Sequence, residues 1–431
     1  MQINIKEITE EYLSDESALP GYADGICFPE NTDEVSRFLR YAHEIGSPVT
    51  IQGSRTGIRA GAVPHGGLVC NLSKLNRIDK ATKAARDNSN DSLLITVGAG
   101  ATLSELSEAL DVAGWFFPPN PTEDTATVGA VVATGSMGGR LQGYGCAANY
   151  VEAVTLAEKD GAIRRIDWQC RPASFTRGQV ELPFGEYGDA GSVVTELTLR
   201  VVRKPQFAFM LFALFTGDAS ACDFAESAVR MAECLPEVKL AQLEYIDAEA
   251  IRAVSDMKNA VSEFQQIPEI DSAGCACGIL LELTGDEEDA LLAALEEIPA
   301  MLDAAGAPAD RTIVAETASE RTRLDTLRHA VIKAGNMKRT ESLRAHGFLS
   351  PICDIVVPRD ALRETLAKIK NESPCARYTY GHIGAGHIHM HFTARTQEES
   401  DKAERFAREL YAHATNLGGG AASEFGGKRR K

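Results

Sequence analysis

Residues 387–392, with the sequence HIHMHF, restrict the fold more than any other part of the chain. Imidazole and apolar side chains alternate there with period two. This pattern predicts a β-strand with three apolar side chains on one face and three imidazoles on the other. The preceding His382 is followed by the turn Gly384-Ala385-Gly386, which can fold its imidazole back towards the same face. Imidazole is a common zinc ligand and the usual acid or base near neutral pH. We therefore predict a chemical site here; the alternative is the polar outer face of an edge strand.

The length and charge of the chain narrow the class of protein. At 431 residues it exceeds what one hydrophobic core supports, so two or three domains are expected. A formal net charge of −17 argues against a nucleic-acid partner and against binding to anionic membrane surfaces. No run of about eighteen apolar residues occurs, so a membrane-spanning segment is not expected.

The cysteines and the first residues of the chain predict a cytoplasmic location. The ten cysteines are scattered, without a Cys-x-x-Cys motif or an iron–sulfur spacing, which is typical of reduced thiols. The N-terminal residues lack the basic start and apolar core of a signal peptide.

A glycine-rich segment in the N-terminal half is a candidate anion site. Residues 26–51 predict a strand, a helix and a second strand, and residues 52–61, QGSRTGIRAG, follow that strand directly. Glycines let backbone N–H groups point at an anion, and Arg55 and Arg59 add positive charge. A simple turn is the alternative, since many glycine-rich loops after strands are only turns.

A run of small residues at 127–139, TVGAVVATGSMGG, follows the proline-rich segment 117–122. Because such a run lacks large side chains, its backbone can approach a flat ligand closely. Close helix packing through glycine and alanine is the alternative. Strands are predicted at 151–156 and 192–199, and Lys204-Pro205 is predicted to end this region.

Taken together and in order, these motifs resemble the FAD-binding domain of the vanillyl-alcohol-oxidase type flavoproteins, the PCMH-type FAD domain. The resemblance covers residues 26–205, and besides the two segments above it rests on FPENTDEV at 28–35, VGAG at 97–100 and VTE at 194–196. It implies FAD as the cofactor. The residues to which it assigns FAD contacts are Gly53, Ser54, Arg55, Thr56, Gly57, Ile58, Pro118, Pro119, Thr122, Thr127, Val128, Gly129, Gly135, Ser136, Gly138, Tyr144, Gly145 and Val194.

The sequence departs from this family at two places, and a third position bears on how FAD is held. Arg55 stands where glycine is usual, and residues 184–189, FGEYGD, replace the usual Gly-Ser-Glu-Gly run. Members that bind FAD covalently often carry histidine in the phosphate loop, where this chain has Thr56. The resemblance therefore implies non-covalent FAD.

The C-terminal half predicts a second domain. Strands are expected at 207–215, 239–246 and 277–283 and helices at 219–234 and 286–302, which favours an antiparallel sheet covered by helices on one face. The predicted fold class is α+β, with a PCMH-type FAD-binding domain of two α/β subdomains and a cap domain. The predicted domains are 1–205 for FAD binding, 206–395 for the cap and substrate, and 396–431 for a C-terminal helix and tail returning to the flavin site.

Segments of the C-terminal half resemble the glycolate oxidase and D-lactate dehydrogenase branch of these flavoproteins. They lie at 328–330, 346–351 and 354–362, together with the histidine stretch. In that branch the arginine matching Arg328 holds the substrate carboxylate, and an arginine fork suits a carboxylate geometrically. The alternative is a solvated arginine on a helix.

The branch pattern His-x-Gly-Asp-Gly-Asn-x-His implies a divalent metal, such as zinc, manganese or iron, at the histidine stretch. His382 and His389 match its two histidines, which are metal ligands in many members, and Glu424 matches a third ligand. Ala385 and His387 stand where the branch has aspartate and asparagine.

The usual base of the branch is missing from this chain. It is a histidine that follows the ligating glutamate, and Phe425, which cannot take a proton, stands there. His387 lies on the same predicted strand face as His389 and is the best candidate for the base. Catalytic roles are therefore expected for His387 and Arg328.

The predicted function is FAD-dependent oxidation of a small D-2-hydroxy acid, of the glycolate or D-lactate type, to the 2-oxo acid. Hydride would pass to flavin, and electrons would leave to an iron–sulfur partner subunit, an electron-transfer flavoprotein, a quinone or oxygen. Phe425 and Ala385 favour an alternative, a non-catalytic or electron-relay flavin subunit of a glycolate or lactate oxidase complex. An FAD oxidase for another alcohol shares the fold and differs only in the pocket.

Overall fold

The computed structural model describes residues 4–83, 91–167, 192–307 and 309–422. Within these ranges the chain forms ten α-helices and sixteen β-strands, and the strands are arranged in three sheets. Residues 184–189, Glu424 and Phe425 lie outside the described ranges. Each helix in the described part of the chain is too short or too polar to cross a membrane.

The first sheet is small and parallel, and it carries the glycine-rich loop. Its strands are β1 (Gly25–Cys27), β2 (Val49–Gln52) and β3 (Leu68–Asn71), with β3 in the middle. Helix α1 (Thr32–Glu44) connects β1 to β2, and the Asn31 side chain caps it by accepting the backbone N–H of Glu34 at 3.0 Å. The predicted strand, helix and strand at 26–51 are confirmed.

The second sheet is antiparallel and shares one apolar core with the first. Its strands are β4 (Ser92–Gly98), β5 (Trp115–Phe116), β6 (Val151–Glu158), β7 (Ile163–Asp167) and β8 (Ser192–Arg203). The strand order is β4-β8-β6-β7, and β5 pairs with β8. The helices of this region are α2 (Leu103–Asp111), α3 (Val128–Ala133) and α4 (Leu141–Tyr144). Phe38 of α1, Val97 of β4 and Leu197 of β8 belong to the common core, which joins the two sheets.

The third sheet has eight antiparallel strands, all from residues after 206. They are β9 (Phe207–Phe215), β10 (Val238–Asp247), β11 (Cys277–Gly285), β12 (Thr312–Ala315), β13 (Ile352–Val356), β14 (Arg377–His382), β15 (His387–Phe392) and β16 (Gly420–Ala421). Their order is β12-β9-β11-β10-β14-β15-β13-β16. The helices are α5 (Asp218–Cys234), α6 (Ala248–Met257), α7 (Glu288–Ala304), α8 (Ala318–His346), α9 (Leu362–Glu372) and α10 (Gln397–Asn416). The domain boundaries at 205 and 395 stay predictions.

Helices cover both faces of this sheet, whereas the sequence analysis expected a cover on one face. Leu211 and Phe215 of β9 belong to the core built with α5 and α7, and Met210 and Phe212 belong to the core built with α6 and α8. The one-face prediction is wrong because β9 is apolar on both sides, and such a strand needs burial of both faces. The predicted α+β class with an antiparallel sheet is confirmed.

The histidine strand β15 lies inside the third sheet, between β14 and β13. Its apolar side chains join the core on one side, and its three imidazoles are each no more than 2% exposed on the other. The predicted strand is therefore confirmed, and the alternative of an exposed edge strand is wrong. The turn before β15 brings Tyr380 opposite His389, and this pairing folds β14 back alongside β15.

Gly386, in the turn between β14 and β15, is expected to tolerate alanine much less well than Gly306, which follows α7. Both glycines have left-handed φ angles, +72° and +67°, so alanine costs roughly 1–2 kcal/mol at either position. A Cβ at Gly386 would also overlap the carbonyl oxygen of Val357, whereas a Cβ at Gly306 meets nothing within 4 Å. Thermal unfolding of the Gly386→Ala and Gly306→Ala variants measures the difference. Equal melting temperatures would contradict the close packing of this turn.

Candidate active site

A cleft of about 500 Å³ opens between the glycine-rich loop, helix α3 and helix α8. The loop contributes Thr56, Gly57 and Ile58, and α3 contributes Ala130 and Val131. The lining residues from α8 are Arg328, Ile332, Lys333, Asn336, Met337, Thr340, Glu341 and Arg344. Most of them recur at every fourth position, a spacing that places side chains on one face of a helix. One wall of the cleft is therefore a single helix face.

Helix α8 is fixed against the loop that forms the opposite wall. A capping box begins the helix, and Gly347, with a φ angle of +77°, ends it. The Asn336 side chain donates to the carbonyl oxygen of Glu16 at 2.7 Å. The buried Arg339 donates to the carbonyl oxygen of Ile58 at 3.4 Å. These contacts hold the helix of the C-terminal half against the N-terminal half of the chain.

The start of the glycine-rich loop packs against α3 without room for side chains. A Cβ on Gly53 would overlap the hydroxyl of Thr127, and a Cβ on Gly129 would lie 2.6 Å from the Cβ of Ala99. Gly53, Thr127, Gly129 and Val194 line one small cavity of about 10 Å³. The N–H of Gly129 donates to the carbonyl oxygen of Ala99 at 2.9 Å, so the close helix packing named as the alternative is present at this glycine. The fit to the FAD that the resemblance implies rests on Thr56, Gly57 and Ser136, which line the large cleft.

Arg55 has a left-handed backbone, with a φ angle of +62°. Glycine adopts this conformation most easily, which accounts for the glycine that the family usually has here. The Arg55 guanidinium lies 4.4 Å from the centre of the Tyr12 ring, a cation–π contact. The guanidinium that was predicted to face an anion therefore contacts an aromatic ring. The left-handed backbone of Arg55 costs about 1–3 kcal/mol of conformational free energy.

The predicted cofactor residues divide into three groups. Those that line the large cleft are Thr56, Gly57, Ile58, Thr122 and Ser136. Those that line the small cavity are Gly53, Thr127, Gly129 and Val194. Those that lie outside the walls of these two cavities are Ser54, Arg55, Pro118, Pro119, Val128, Gly135, Gly138, Tyr144 and Gly145. The Tyr144 ring, for example, packs edge-on against Phe116. FAD contacts of all these residues stay predictions.

Three of the four histidines of the predicted stretch form a buried cluster. Ligand atoms of His382, His387 and His389 all lie within 4.8 Å of one another. The ring centres are 4.2 Å apart for His387 and His389 and 5.3 Å apart for His382 and His387. The predicted return of His382 to the face of the strand is therefore confirmed. His391 stands apart, and its Nε2 lies 2.9 Å from the hydroxyl of Tyr380.

Two buried carboxylates orient the cluster. Oε1 of Glu244 lies 2.6 Å from Nδ1 of His382. Oδ1 of Asp354 accepts from Nε2 of His387 and lies 3.0 Å from Nδ1 of His389. Burial alone would raise the pKa of either carboxyl, but the neighbouring imidazoles, and Arg328 beside Glu244, outweigh burial and hold both pKa values below their usual range. Carboxylate-oriented imidazoles are the usual surroundings of a bound metal, so this donor set fits a divalent ion.

Arg328 lies at the border of the cleft and the cluster. It is 4% exposed, and its Nε donates to Oε2 of Glu244 at 3.1 Å. Arg328 and His389 both line the cleft. The alternative of a solvated helix arginine is therefore wrong, because this guanidinium is a buried cation. Its contact with a substrate carboxylate stays a prediction.

The chain after α10 returns to the same place. Strand β16 pairs with β13, and the N–H of Ala422 donates to the carbonyl oxygen of Asp354 at 2.9 Å. Glu424, the predicted third metal ligand, is two positions further on and lies outside the described residues. Its role stays a prediction.

Sequence reasoning missed Glu244, Asp354 and the cleft-lining face of α8. The signal for both carboxylates was one charged residue inside a largely apolar run, AQLEYI and ICDIV, where ionised groups are rare unless they are partnered. The signal for α8 was the repeat of Arg328, Ile332 and Asn336 at every fourth position.

Comparisons with known proteins match both halves of the chain. Residues 23–167 match the family described as FAD binding domain, and residues 208–427 match FAD linked oxidases, C-terminal domain. A D-lactate dehydrogenase of Anaerostipes hadrus is 28% identical over 429 residues, which cover 97% of this chain and 85% of that protein. The glycolate oxidase subunit GlcD of Bacillus subtilis is 27% identical over 414 residues, which cover 94% of this chain and 80% of that protein.

Two solved structures resemble the fold at low sequence identity. A p-cresol methylhydroxylase with bound substrate gives a TM-score of 0.65 at 14% identity, over 96% of this chain and 85% of that chain. An alkyldihydroxyacetonephosphate synthase gives a TM-score of 0.64 at 16% identity, over 92% of this chain and 72% of that chain. At this level of identity the likeness concerns the fold alone.

Proposed function

This chain belongs to the family of FAD linked oxidases and is an FAD-dependent oxidoreductase, and we propose that it oxidises a small D-2-hydroxy acid to the 2-oxo acid. The substrate would be of the glycolate or D-lactate type, in line with the names of two relatives. The observation that carries the proposal is the cleft, which a glycine-rich loop, a buried arginine and a buried imidazole line together. Such a substrate requires a carboxylate anchor and a group that takes the hydroxyl proton.

The glycine-rich loop and α3 would hold the cofactor. Gly53, Thr127 and Gly129 line the small cavity, and Thr56 and Gly57 line the cleft itself. When bound, FAD accepts the hydride that leaves the carbinol carbon. Since Thr56 stands where covalent members often have histidine, we expect FAD to be held by non-covalent contacts.

Arg328 would hold the substrate carboxylate. The guanidinium is planar and permanently charged, and its fork matches the two oxygens of a carboxylate. Because Arg328 is buried at the border of the cleft, the low local dielectric strengthens this attraction relative to an exposed arginine. The carboxylate would thereby be fixed beside the histidine cluster.

His387 would take the hydroxyl proton. Asp354 accepts from Nε2 of His387, so in the neutral imidazole Nδ1 carries the lone pair that can receive a proton. The pKa of Asp354 is held well below its usual value, so the carboxylate stays ionised and stabilises the imidazolium that forms.

His382, His389 and Glu424 would hold a divalent metal, either zinc, manganese or iron. Such an ion supplies Lewis-acid polarisation of a substrate oxygen when it is bound. Glu244 fixes the ring of His382, and Asp354 fixes the ring of His389. Partners of this kind orient imidazole ligands and raise their basicity.

Electrons would leave to an iron–sulfur partner, an electron-transfer flavoprotein, a quinone or oxygen, since the sequence has no iron–sulfur spacing of cysteines. The nine cysteines in the described part of the chain are free thiols, which supports a cytoplasmic location. Phe425 at the position of the usual base favours a second candidate, an electron-relay flavin subunit of an oxidase complex. Anaerobic bleaching of the flavin by a panel of 2-hydroxy acids separates the two, because a relay subunit is not reduced by substrate.

The purified protein is expected to be yellow and to release its FAD on acid or heat treatment. The reason is the absence of histidine from the phosphate loop, where Thr56 stands. Absorbance and chromatography of the supernatant after precipitation measure the released flavin. Flavin retained in the precipitate would contradict non-covalent binding.

The variant Arg328→Ala is expected to weaken substrate binding by about ten-fold or more while FAD content is kept. A hydrogen bond to a charged group contributes on the order of 1.5–3 kcal/mol, and the cofactor loop is untouched. Steady-state KM and flavin absorbance measure the two effects. Arg328→Lys keeps the charge beside Glu244 and controls for misfolding, and Arg344→Ala, on the same helix face but exposed, is the matched control. An unchanged KM in both Arg328 variants would refute the anchor.

Two histidine variants separate the base from the metal ligands. His387→Ala is expected to keep FAD and metal but to lose flavin reduction, because the proton acceptor is gone. His382→Ala is expected to lose metal and flavin reduction together, because a ligand is gone. Metal analysis and anaerobic stopped-flow absorbance measure both. Flavin reduction at the wild-type rate in His387→Ala would show that His387 is not the base.

A further inference from the structure

The carboxylate of Glu244 contacts both His382, a proposed metal ligand, and Arg328, the proposed anchor of the substrate. Oε1 of Glu244 lies 2.6 Å from Nδ1 of His382, and its Oε2 accepts the Nε–H of Arg328 at 3.1 Å. Glu244 is 3% exposed and stands on β10, directly opposite His382 on β14. The guanidinium of the cleft and the histidine cluster are therefore joined through a single side chain.

We propose that Glu244 is a positioning residue that makes the carboxylate anchor and the metal-binding imidazoles one pre-organised unit. This inference rests on the proposed function, which assigns the substrate carboxylate to Arg328 and a metal to His382. It adds that neither site keeps its geometry when the Glu244 carboxylate is lost, although Glu244 touches neither substrate nor metal.

The contact with His382 fixes which ring nitrogen faces the cluster. An ionised carboxylate can only accept, so the proton of the short contact belongs to Nδ1 of His382. In the neutral imidazole, Nε2 then carries the lone pair that a metal requires. Without the carboxylate, the imidazole can adopt the other tautomer, in which Nε2 carries the proton and cannot bind a metal.

The contact with Arg328 fixes the direction of the guanidinium. A Cβ on Gly139 would lie 2.8 Å from Nε of Arg328, so the N-terminal half packs closely against this side chain. Nη1 of Arg328 lies 3.5 Å from the carbonyl oxygen of Asn120. The guanidinium of Arg328 is thus held between the backbone near Gly139 and the carboxylate of Glu244, and these contacts fix its orientation. A buried ion pair is also costly to break, because the remaining charge is left in the protein interior.

The test compares Glu244→Gln with Glu282→Gln. Glutamine keeps the length of the side chain but has one acceptor oxygen, so it cannot serve both His382 and Arg328 as acceptor. Glu282 is a matched control, since it is 5% exposed, stands on the neighbouring strand β11 and bonds to Gln242 and Arg140 instead. Metal-free protein is titrated with Zn²⁺ against a chromophoric chelator. FAD content, melting temperature, KM and kcat are measured on the same preparations.

Glu244→Gln is expected to raise the Zn²⁺ dissociation constant by about 10–100-fold, the usual effect of losing a partner of a metal ligand. It is also expected to raise KM for the hydroxy acid, with FAD content equal to that of Glu282→Gln. Glu282→Gln is expected to bind Zn²⁺ within two-fold of the wild type. A merely structural role of Glu244 would lower the melting temperature without this selective loss.

Four outcomes would overturn the inference. Three concern Zn²⁺, namely an affinity of Glu244→Gln within two-fold of the wild type, an equal loss of affinity in Glu282→Gln, and a wild type that binds no Zn²⁺. The fourth is a KM of Glu244→Gln equal to that of the wild type. Failure of the proposed function is a different result, namely that no 2-hydroxy acid reduces the wild-type flavin. In that case the comparison of Zn²⁺ affinities still decides the role of Glu244 toward His382.

Discussion

Two negative charges buried in an apolar sheet, on Glu244 and Asp354, govern the arrangement of the site. Moving a carboxylate from water into a protein interior costs several kcal/mol unless cations and hydrogen-bond donors surround it. Glu244 meets Arg328 and His382, and Asp354 meets two imidazoles of β15. These charges are tolerated in the sheet because the turn after β14 and the helix α8 place imidazoles and a guanidinium next to them. The chemistry of the site and the stability of the sheet depend on the same contacts.

The partners come from segments far apart in the chain, so the site exists only in the complete fold. The carboxylates stand on β10 and β13, the imidazoles on β14 and β15, and the guanidinium on α8. The N-terminal half reaches the same cleft through its glycine-rich loop, which Arg339 holds by the carbonyl oxygen of Ile58. Contacts across such long sequence separations carry a large loop-closure cost, so they are stable only when the two halves of the chain are folded against each other.

The sequence predicted those parts of the site that produce a pattern among neighbouring residues. Alternation in HIHMHF predicted the strand, and the turn before it predicted the return of His382. The partners of the imidazoles left only a weak signal, one charged residue in each of the runs AQLEYI and ICDIV, and such a residue does not reveal which side chains it meets. The second covered face of the sheet was missed for a related reason. An apolar run such as β9 predicts that the strand is buried, but it does not predict which elements cover each face.

Helix α8 contributes side chains both to the core and to the wall of the cleft. Leu324, Leu327 and Val331 pack into the core, and Thr340 lines the cleft. Ile332 does both, since it lines the cleft and packs against the same core. Replacements of the core residues change the packing between α8 and this sheet, whereas a replacement of Thr340 changes the cleft and leaves those core contacts in place. Residues of α8 that line the cleft without a core contact can therefore be exchanged with less loss of stability than its core residues.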